Sequence, residues 1–152
     1  MSSVFAREGV IRQTLKTVCE GLGRSAGGGS VEISGLLLGR DLAGNLFITS
    51  AVTGDQVSTE FGSELDDNFM ARVAQAMITG KITERIVGMF HSHPGIGVFL
   101  SQQDVRTLAN FQRLYPRFVM MVIDPLARVR YRFFRYDTEA QMARPLSVEL
   151  IE

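Results

Sequence analysis

The sequence predicts a mixed α/β domain in which one β-sheet packs between helices. Segments with helical spacing of apolar residues alternate with short extended segments, and one of these, 118–123, is apolar throughout, as expected of a central strand buried on both faces. The 152 residues suffice for one domain, 1–152, and show no repeat or second domain. A hydrophobic fraction of 45% and a charged fraction of 21% are ordinary for a globular protein.

The N-terminal part of the chain predicts a helix followed by a hairpin. Ile11, Leu15 and Val18 recur at helical spacing and predict a helix over about residues 5–21. Two extended patterns follow, and the short stretch between them contains glycine, which suits a hairpin connection. The two predicted strands span 31–39 and 45–53.

The middle of the chain predicts a second helix and a short strand. An apolar stripe from Leu65 to Met77 predicts the helix, and Ser63 and Asp66 stand at the spacing of a capping box before it. The following apolar segment, 86–93, predicts a strand that ends in two histidines.

The C-terminal part predicts a third helix and further strands. Leu108 and Phe111 lie on one side of a predicted helix over 101–114. The remaining strands are predicted at 118–123, at 128–136, where the residues alternate, and at 148–151.

The segment from Phe90 to Asp104 carries the strongest functional signal. It has the pattern H-x-H-P, six residues, then S-x-x-D, and it contains the only two histidines of the chain. Side chains at positions i and i+2 of a strand point to the same face, so His91 and His93 can converge on one metal ion. Together with Asp104 they form a set of three ligands that leaves a fourth position for water, which is typical of catalytic zinc.

Composition excludes several other classes of protein. The single cysteine, Cys19, cannot form an internal disulfide or a Cys-rich zinc site, and we expect it to be buried on its helix. Sixteen basic and sixteen acidic residues balance, so the global charge predicts neither nucleic-acid nor membrane binding. The sequence contains neither an apolar run of membrane-spanning length nor a signal-peptide core, which predicts a cytoplasmic protein.

The motif and an upstream strand resemble the JAMM (MPN+) metalloprotease family. The resemblance rests on His91-Ser92-His93-Pro94 with Ser101 and Asp104, and on Val31-Glu32-Ile33-Ser34-Gly35-Leu36-Leu37-Leu38-Gly39. It covers nearly the whole chain, and the sequence around the histidines is most similar to the deubiquitinase of the proteasome lid. The resemblance implies the cytidine-deaminase-like fold of MPN domains. It also implies a stand-alone relative, for example a prokaryotic one, or else the catalytic domain of a longer protein.

This resemblance implies a zinc-dependent isopeptidase. His91, His93 and Asp104 would hold one catalytic zinc ion, Glu32 would act as general base, and Ser101 would hydrogen-bond the oxyanion. The implied scissile bond follows the C-terminal Gly-Gly tail of ubiquitin or a ubiquitin-like modifier. The implied partners are conjugates of these modifiers, the proteasome, or another MPN-domain protein.

Plainer interpretations of the same residues stay open. Ser101 and Asp104 also match an ordinary capping box, and Glu32 on its own is an ordinary solvated strand residue. Phe99 and Leu100 either pack against the domain or line a substrate groove.

Three other functions compete with the isopeptidase. A zinc nucleotide deaminase would share the α/β frame, but its P-C-x-x-C ligands are absent from the sequence. A non-catalytic scaffold or partner-gated MPN module would share the fold, although such scaffolds usually lack the metal ligands. A nucleic-acid module could use the basic, aromatic segment 128–135, but alternation would place its arginines on one face, as in any amphipathic strand. We therefore expect no nucleic-acid partner and no membrane.

Overall fold

The computed structural model describes residues 3–24, 32–53, 56–59, 62–65 and 67–152. Within these ranges the helices are α1 (Glu8–Arg24), α2 (Asp67–Ile78) and α3 (Gln102–Leu114). The strands in the same ranges are β1 (Val4–Arg7), β2 (Ser34–Leu42), β3 (Asn45–Thr53), β4 (Gln56–Thr59), β5 (Gly62–Leu65), β6 (Arg85–Ser92), β7 (Val119–Ile123), β8 (Tyr131–Asp137), β9 (Met142–Leu146) and β10 (Glu149–Ile151).

Eight of these strands form one mixed sheet, which confirms the predicted fold class. Their order is β10-β1-β3-β2-β6-β7-β8-β9, and β4 pairs with β5 in a separate two-stranded sheet. The pairs β10–β1, β1–β3 and β6–β7 are parallel, whereas the other neighbours in the large sheet are antiparallel. Parallel strands need a crossover connection, and α3 lies in the connection between β6 and β7.

The central strand β7 shows why the sheet needs helices on both sides. All five of its residues are buried, as the apolar sequence predicts. Its odd-numbered residues pack in the same core as Val18 of α1, whereas its even-numbered residues pack against Leu108 of α3. Because successive side chains of a strand point to opposite faces, α1 and α3 cover opposite faces of the sheet.

Several predicted boundaries are confirmed by the structure. The strand at 45–53 is observed as predicted, the helix at 101–114 begins one residue later, and 118–123 differs by one residue from β7. The first strand of the hairpin begins later and runs on to Leu42, because the turn needs only Ala43 and Gly44. Both turn residues have positive φ, 51° and 85°, which is the geometry of a tight two-residue hairpin.

Short elements account for the errors in the predicted fold. β1 was included in the first helix, and β9 was not predicted. The capping box at Ser63 is wrong, because Ser63 lies in β5 opposite Ser58 and the helix begins at Asp67, while Asp66 lies outside the described residues. A strand of four residues is too short to establish its period of two against a helical pattern.

Two statements about surface and core are corrected by the structure. Cys19 is exposed, because it lies one position beyond the stripe that buries Val18. β8 begins only at Tyr131, so residues 128–130 form a turn in which Val129 is 46% exposed beside its arginines. The alternation expected for 128–130 is therefore wrong. No helix in the described ranges is long and apolar enough to cross a membrane.

Candidate metal centre

Strand β6 delivers both histidines to one end of the sheet. His91 lies in β6, and His93 continues the ladder just beyond it, because its backbone N–H donates to the carbonyl of Ile123 at 2.7 Å. Both imidazoles are buried, and their ring centroids stand 5.1 Å apart. The predicted convergence of two side chains at i and i+2 is therefore present in the fold.

The N-terminus of α3 directs a carboxylate towards these histidines. Ser101 is the N-cap: its Oγ accepts the backbone N–H of Asp104 at 3.1 Å, and Asp104 Oδ2 accepts the backbone N–H of Ser101 at 2.9 Å. These two bonds form a capping box and fix the rotamer of the carboxylate. The same Oδ2 lies 3.2 Å from His91 Nε2.

The spacing of the three side chains suits a shared metal ion better than direct hydrogen bonds between them. Ligand atoms of His91, His93 and Asp104 all lie within 4.8 Å of one another. His91 Nε2 is buried and has no hydrogen-bond partner among the described residues, although Asp104 Oδ2 lies 3.2 Å away. Two ligands on a tetrahedral zinc ion stand ~3.4 Å apart. A buried ring nitrogen without a partner, next to a carboxylate at nearly this spacing, suits zinc.

A backbone carbonyl sets the tautomer of His93. Its Nδ1 lies 2.7 Å from the carbonyl oxygen of Gly97. Because a carbonyl can only accept, Nδ1 carries the proton and the neutral ring presents the lone pair of Nε2. Histidine ligands are commonly oriented in this way by an acceptor on the opposite ring nitrogen.

The environment of Asp104 keeps its carboxylate ionised. Burial raises its pKa, but the neighbouring His91 imidazole and the hydrogen bonds from Ser101 outweigh burial, and the pKa lies below the ordinary value of 3.8. The side chain is therefore charged, as a metal ligand must be, at any pH near neutrality.

Glu32 lies just before β2 and is half-buried. The next residue, Ile33, is tied to β6 twice: Ser92 donates its backbone N–H to the Ile33 carbonyl at 2.9 Å, and Ser92 Oγ accepts the Ile33 N–H at 2.8 Å. Continuing the antiparallel register by one residue sets Glu32 opposite His93. Its position next to the histidine strand is compatible with a role at the cluster.

The remaining predicted site residues occupy different environments. Phe99 is 46% exposed, and its ring centroid lies 4.8 Å from that of His93. Leu100 instead packs against the core around Leu108. Phe99 therefore lies partly exposed beside His93, whereas Leu100 is partly buried against the hydrophobic core.

Sequence reasoning missed Asp124 as part of this region. Its carboxylate is fully buried and accepts backbone N–H groups from Gly95, Gly97 and Leu126. An acidic residue directly after five buried apolar positions was the available signal. A charge at the end of a central strand is seldom buried without a compensating set of donors.

The fold and the cluster define an α/β domain with a potential metal site where the ends of β6 and β7 meet the N-terminus of α3. The chain belongs to the family described as JAB1/Mov34/MPN/PAD-1 ubiquitin protease, whose family model matches residues 9–117. This range includes the histidines, the carboxylate and Glu32.

Individual relatives are named as a ubiquitin carboxyl-terminal hydrolase and as regulatory subunits of the 26S proteasome. The chain is 35% identical over 105 residues to Ubiquitin carboxyl-terminal hydrolase RPN11 of Saccharomyces cerevisiae, covering 66% of this chain and 33% of the relative. It is 34% identical over 114 residues to the 26S proteasome regulatory subunit RPN11 of Eremothecium gossypii, covering 72% and 36%. It is also 34% identical over 105 residues to the 26S proteasome non-ATPase regulatory subunit 14 of Drosophila melanogaster, covering 66% and 33%. These alignments span about a third of each relative's length.

Proposed function

We propose that the chain is a zinc-dependent isopeptidase that cleaves the bond after the C-terminal Gly-Gly tail of ubiquitin or a ubiquitin-like modifier. One observation carries the proposal: His91, His93 and Asp104 converge within 4.8 Å in a chain of a family described as ubiquitin proteases. These three residues would hold one zinc ion. When bound, zinc lowers the pKa of water from its ordinary high value to about 7, which makes hydroxide available at neutral pH.

Glu32 is the proposed general base. Its carboxylate would accept a proton from the attacking water and later donate that proton to the departing amine. The position of Glu32 opposite His93 supports this role, as does its partial burial, which limits competing contact with solvent.

Ser101 is the proposed hydrogen-bond donor to the oxyanion, and its capping bond does not use the hydroxyl proton that this role needs. A hydroxyl has two acceptor lone pairs and one donor proton. The bond from the Asp104 N–H uses a lone pair of Oγ and leaves the hydroxyl proton for the substrate carbonyl oxygen as that carbon becomes tetrahedral. Such a donor is typically worth 10²–10³ in rate, or roughly 3–4 kcal/mol.

Phe99 is the proposed contact for the modifier tail. Its partly exposed ring beside His93 offers an apolar surface that a narrow Gly-Gly segment could cross. The names of the relatives support ubiquitin conjugates as substrates and the proteasome as a partner. Another MPN-domain protein as an alternative partner and the cytoplasm as the location stay predictions from the sequence.

The decisive experiment is hydrolysis of a ubiquitin-type Gly-Gly isopeptide substrate by the zinc-loaded protein, with Glu32→Gln alongside. Cleavage by the wild type and none by the variant would support both the activity and the base. Equal cleavage by both would contradict the role of Glu32. A wild type that binds zinc stoichiometrically yet cleaves neither ubiquitin nor ubiquitin-like substrates would favour a scaffold instead.

A further inference from the structure

The carboxylate of Asp124 joins two loops that flank the metal cluster. It lies directly after β7 and has no exposed surface. Oδ1 accepts the N–H of Gly95 at 2.9 Å and that of Leu126 at 3.1 Å, while Oδ2 accepts the N–H of Gly97 at 2.7 Å and is 3.0 Å from that of Gly95. A buried carboxylate held by several backbone donors is compensated for its lost hydration.

The loop that Asp124 holds has a conformation reserved for glycine. Gly95 and Gly97 have φ of +94° and +103°. In this conformation the N–H groups of both residues turn inward to the same carboxylate. Glycine adopts these angles without strain but loses more conformational freedom on ordering than other residues, so hydrogen bonds from outside the loop help to hold it in this shape.

One residue, Gly97, separates Asp124 from a proposed metal ligand. The N–H of Gly97 donates to Asp124, and the carbonyl of the same residue accepts from His93 Nδ1. Ile123, the residue before Asp124, holds the backbone of His93, because its carbonyl accepts the His93 N–H. Residues 123 and 124 therefore fix both the main chain and the ring of this histidine.

We propose that Asp124 is a positioning residue for the metal centre: by fixing Gly97, it commits His93 to the Nδ1–H tautomer, whose Nε2 is free to bind metal. The hydrogen bonds of the Asp124 carboxylate go to the backbone of Gly95, Gly97 and Leu126, so it acts on His93 through the loop. The role rests on the proposed function, but the tautomer itself exists without metal and without hydrolysis.

The two histidines of the chain make the tautomer directly measurable. In uniformly ¹⁵N-labelled, metal-free protein at about pH 8, above the ordinary histidine pKa, long-range ¹⁵N–¹H spectra contain two imidazoles, assigned with His91→Gln. We expect wild-type His93 to be the Nδ1–H form. Asp124→Asn, which replaces an acceptor with an NH₂ group facing backbone donors, should populate the Nε2–H form.

Zinc affinity provides a second readout. Competition with a chelator should show zinc binding 10–100-fold weaker in Asp124→Asn, as is common when a residue that orients a ligand is changed. Asp41→Asn is the matched control. It removes a carboxylate bonded to Tyr115 and Arg117 at the other end of β2, and it should change neither the tautomer nor the zinc affinity.

The wild type alone can overturn the proposal if Asp124→Asn does not fold. Hydrogen exchange of the Gly95 and Gly97 amides should be slowed despite their loop position, and His93 should be Nδ1–H. An Nε2–H wild type, unprotected glycine amides, or a folded Asp124→Asn with unchanged tautomer and zinc affinity would each reject it. A tautomer that follows Asp124 in a protein that hydrolyses nothing would uphold this inference and reject the isopeptidase.

Discussion

Ser101 and Asp104 cap each other through two reciprocal hydrogen bonds, and the oxygen of Asp104 that accepts from Ser101 also lies 3.2 Å from His91 Nε2. Helix capping and ligand placement are therefore one arrangement rather than competing explanations. The cap orients the carboxylate, and the fold brings β6 to meet it. The capping interpretation of the S-x-x-D sequence is confirmed, and the same geometry is compatible with the proposed metal role of Asp104.

Stability and kinetics of Ser101 variants measure its capping role and its proposed oxyanion role separately. Ser101→Ala should destabilise the fold by about 1 kcal/mol through loss of the cap, and should reduce kcat by about 10²–10³ through loss of the oxyanion donor. Ser101→Thr retains the hydroxyl and should keep most of both. Urea unfolding and steady-state kinetics on the same preparations measure the two effects. An alanine variant with reduced stability and normal kcat would leave Ser101 as a cap only.

Glu32→Gln should keep zinc but lose hydrolysis. The amide preserves size yet cannot take a proton, so kcat should fall by about 10²–10⁴. Metal analysis and isopeptide cleavage should be compared with Glu149→Gln, an exposed change on β10 that should alter neither. Normal turnover by zinc-loaded Glu32→Gln would show that another group accepts the proton.

His93→Ala should lose the metal. Two of three protein ligands do not hold zinc tightly, and the variant purified with zinc present should contain far less than one equivalent. Circular dichroism of the metal-free wild type and variant would check that both remain folded. Stoichiometric zinc in this variant would mean that the coordination assigned here is wrong.

The lowered pKa of Asp104 predicts how acid affects the metal-free protein. A carboxyl whose folded pKa lies below its unfolded value stabilises the fold above the unfolded value, 3.8, and this contribution is lost as the pH falls through the lower folded pKa. The difference in Tm between wild type and Asp104→Asn should therefore be largest above about pH 5 and shrink below it. A difference that does not change with pH would contradict the ionised role of this carboxylate.

The ligand cluster could be predicted from sequence because its parts are local. The proposed ligands His91 and His93 lie two residues apart at the end of β6, and the third, Asp104, follows a helix start whose cap is itself recognisable from Ser101. The central strand β7 could also be predicted from the sequence, since it has no polar residue, as expected of a strand buried on both faces.

The parts that escaped prediction depend on contacts distant in sequence. Asp124 lies 27 residues from Gly97, and its partners are backbone groups that carry no side-chain signal. Ser92 is bonded to Ile33 through both its backbone N–H and its Oγ, and the local pattern around Ser92 does not reveal these contacts. β1 is a strand because it pairs with β10 and β3, and the pattern of its four residues does not reveal these partners.

The parallel pairing of β1 with β10 has a consequence for synthesis on the ribosome. Phe5 aligns with Glu149, so β1 acquires this second neighbour only after residues 149–151 have emerged, long after β3. Until then β1 can pair with β3 alone and presents an open edge of unpaired N–H and C=O groups. Pairing with the three-residue β10, which lies at the edge of the sheet, then replaces the open edge of β1 with a shorter one, so the growing domain is exposed to edge-to-edge association until β10 emerges.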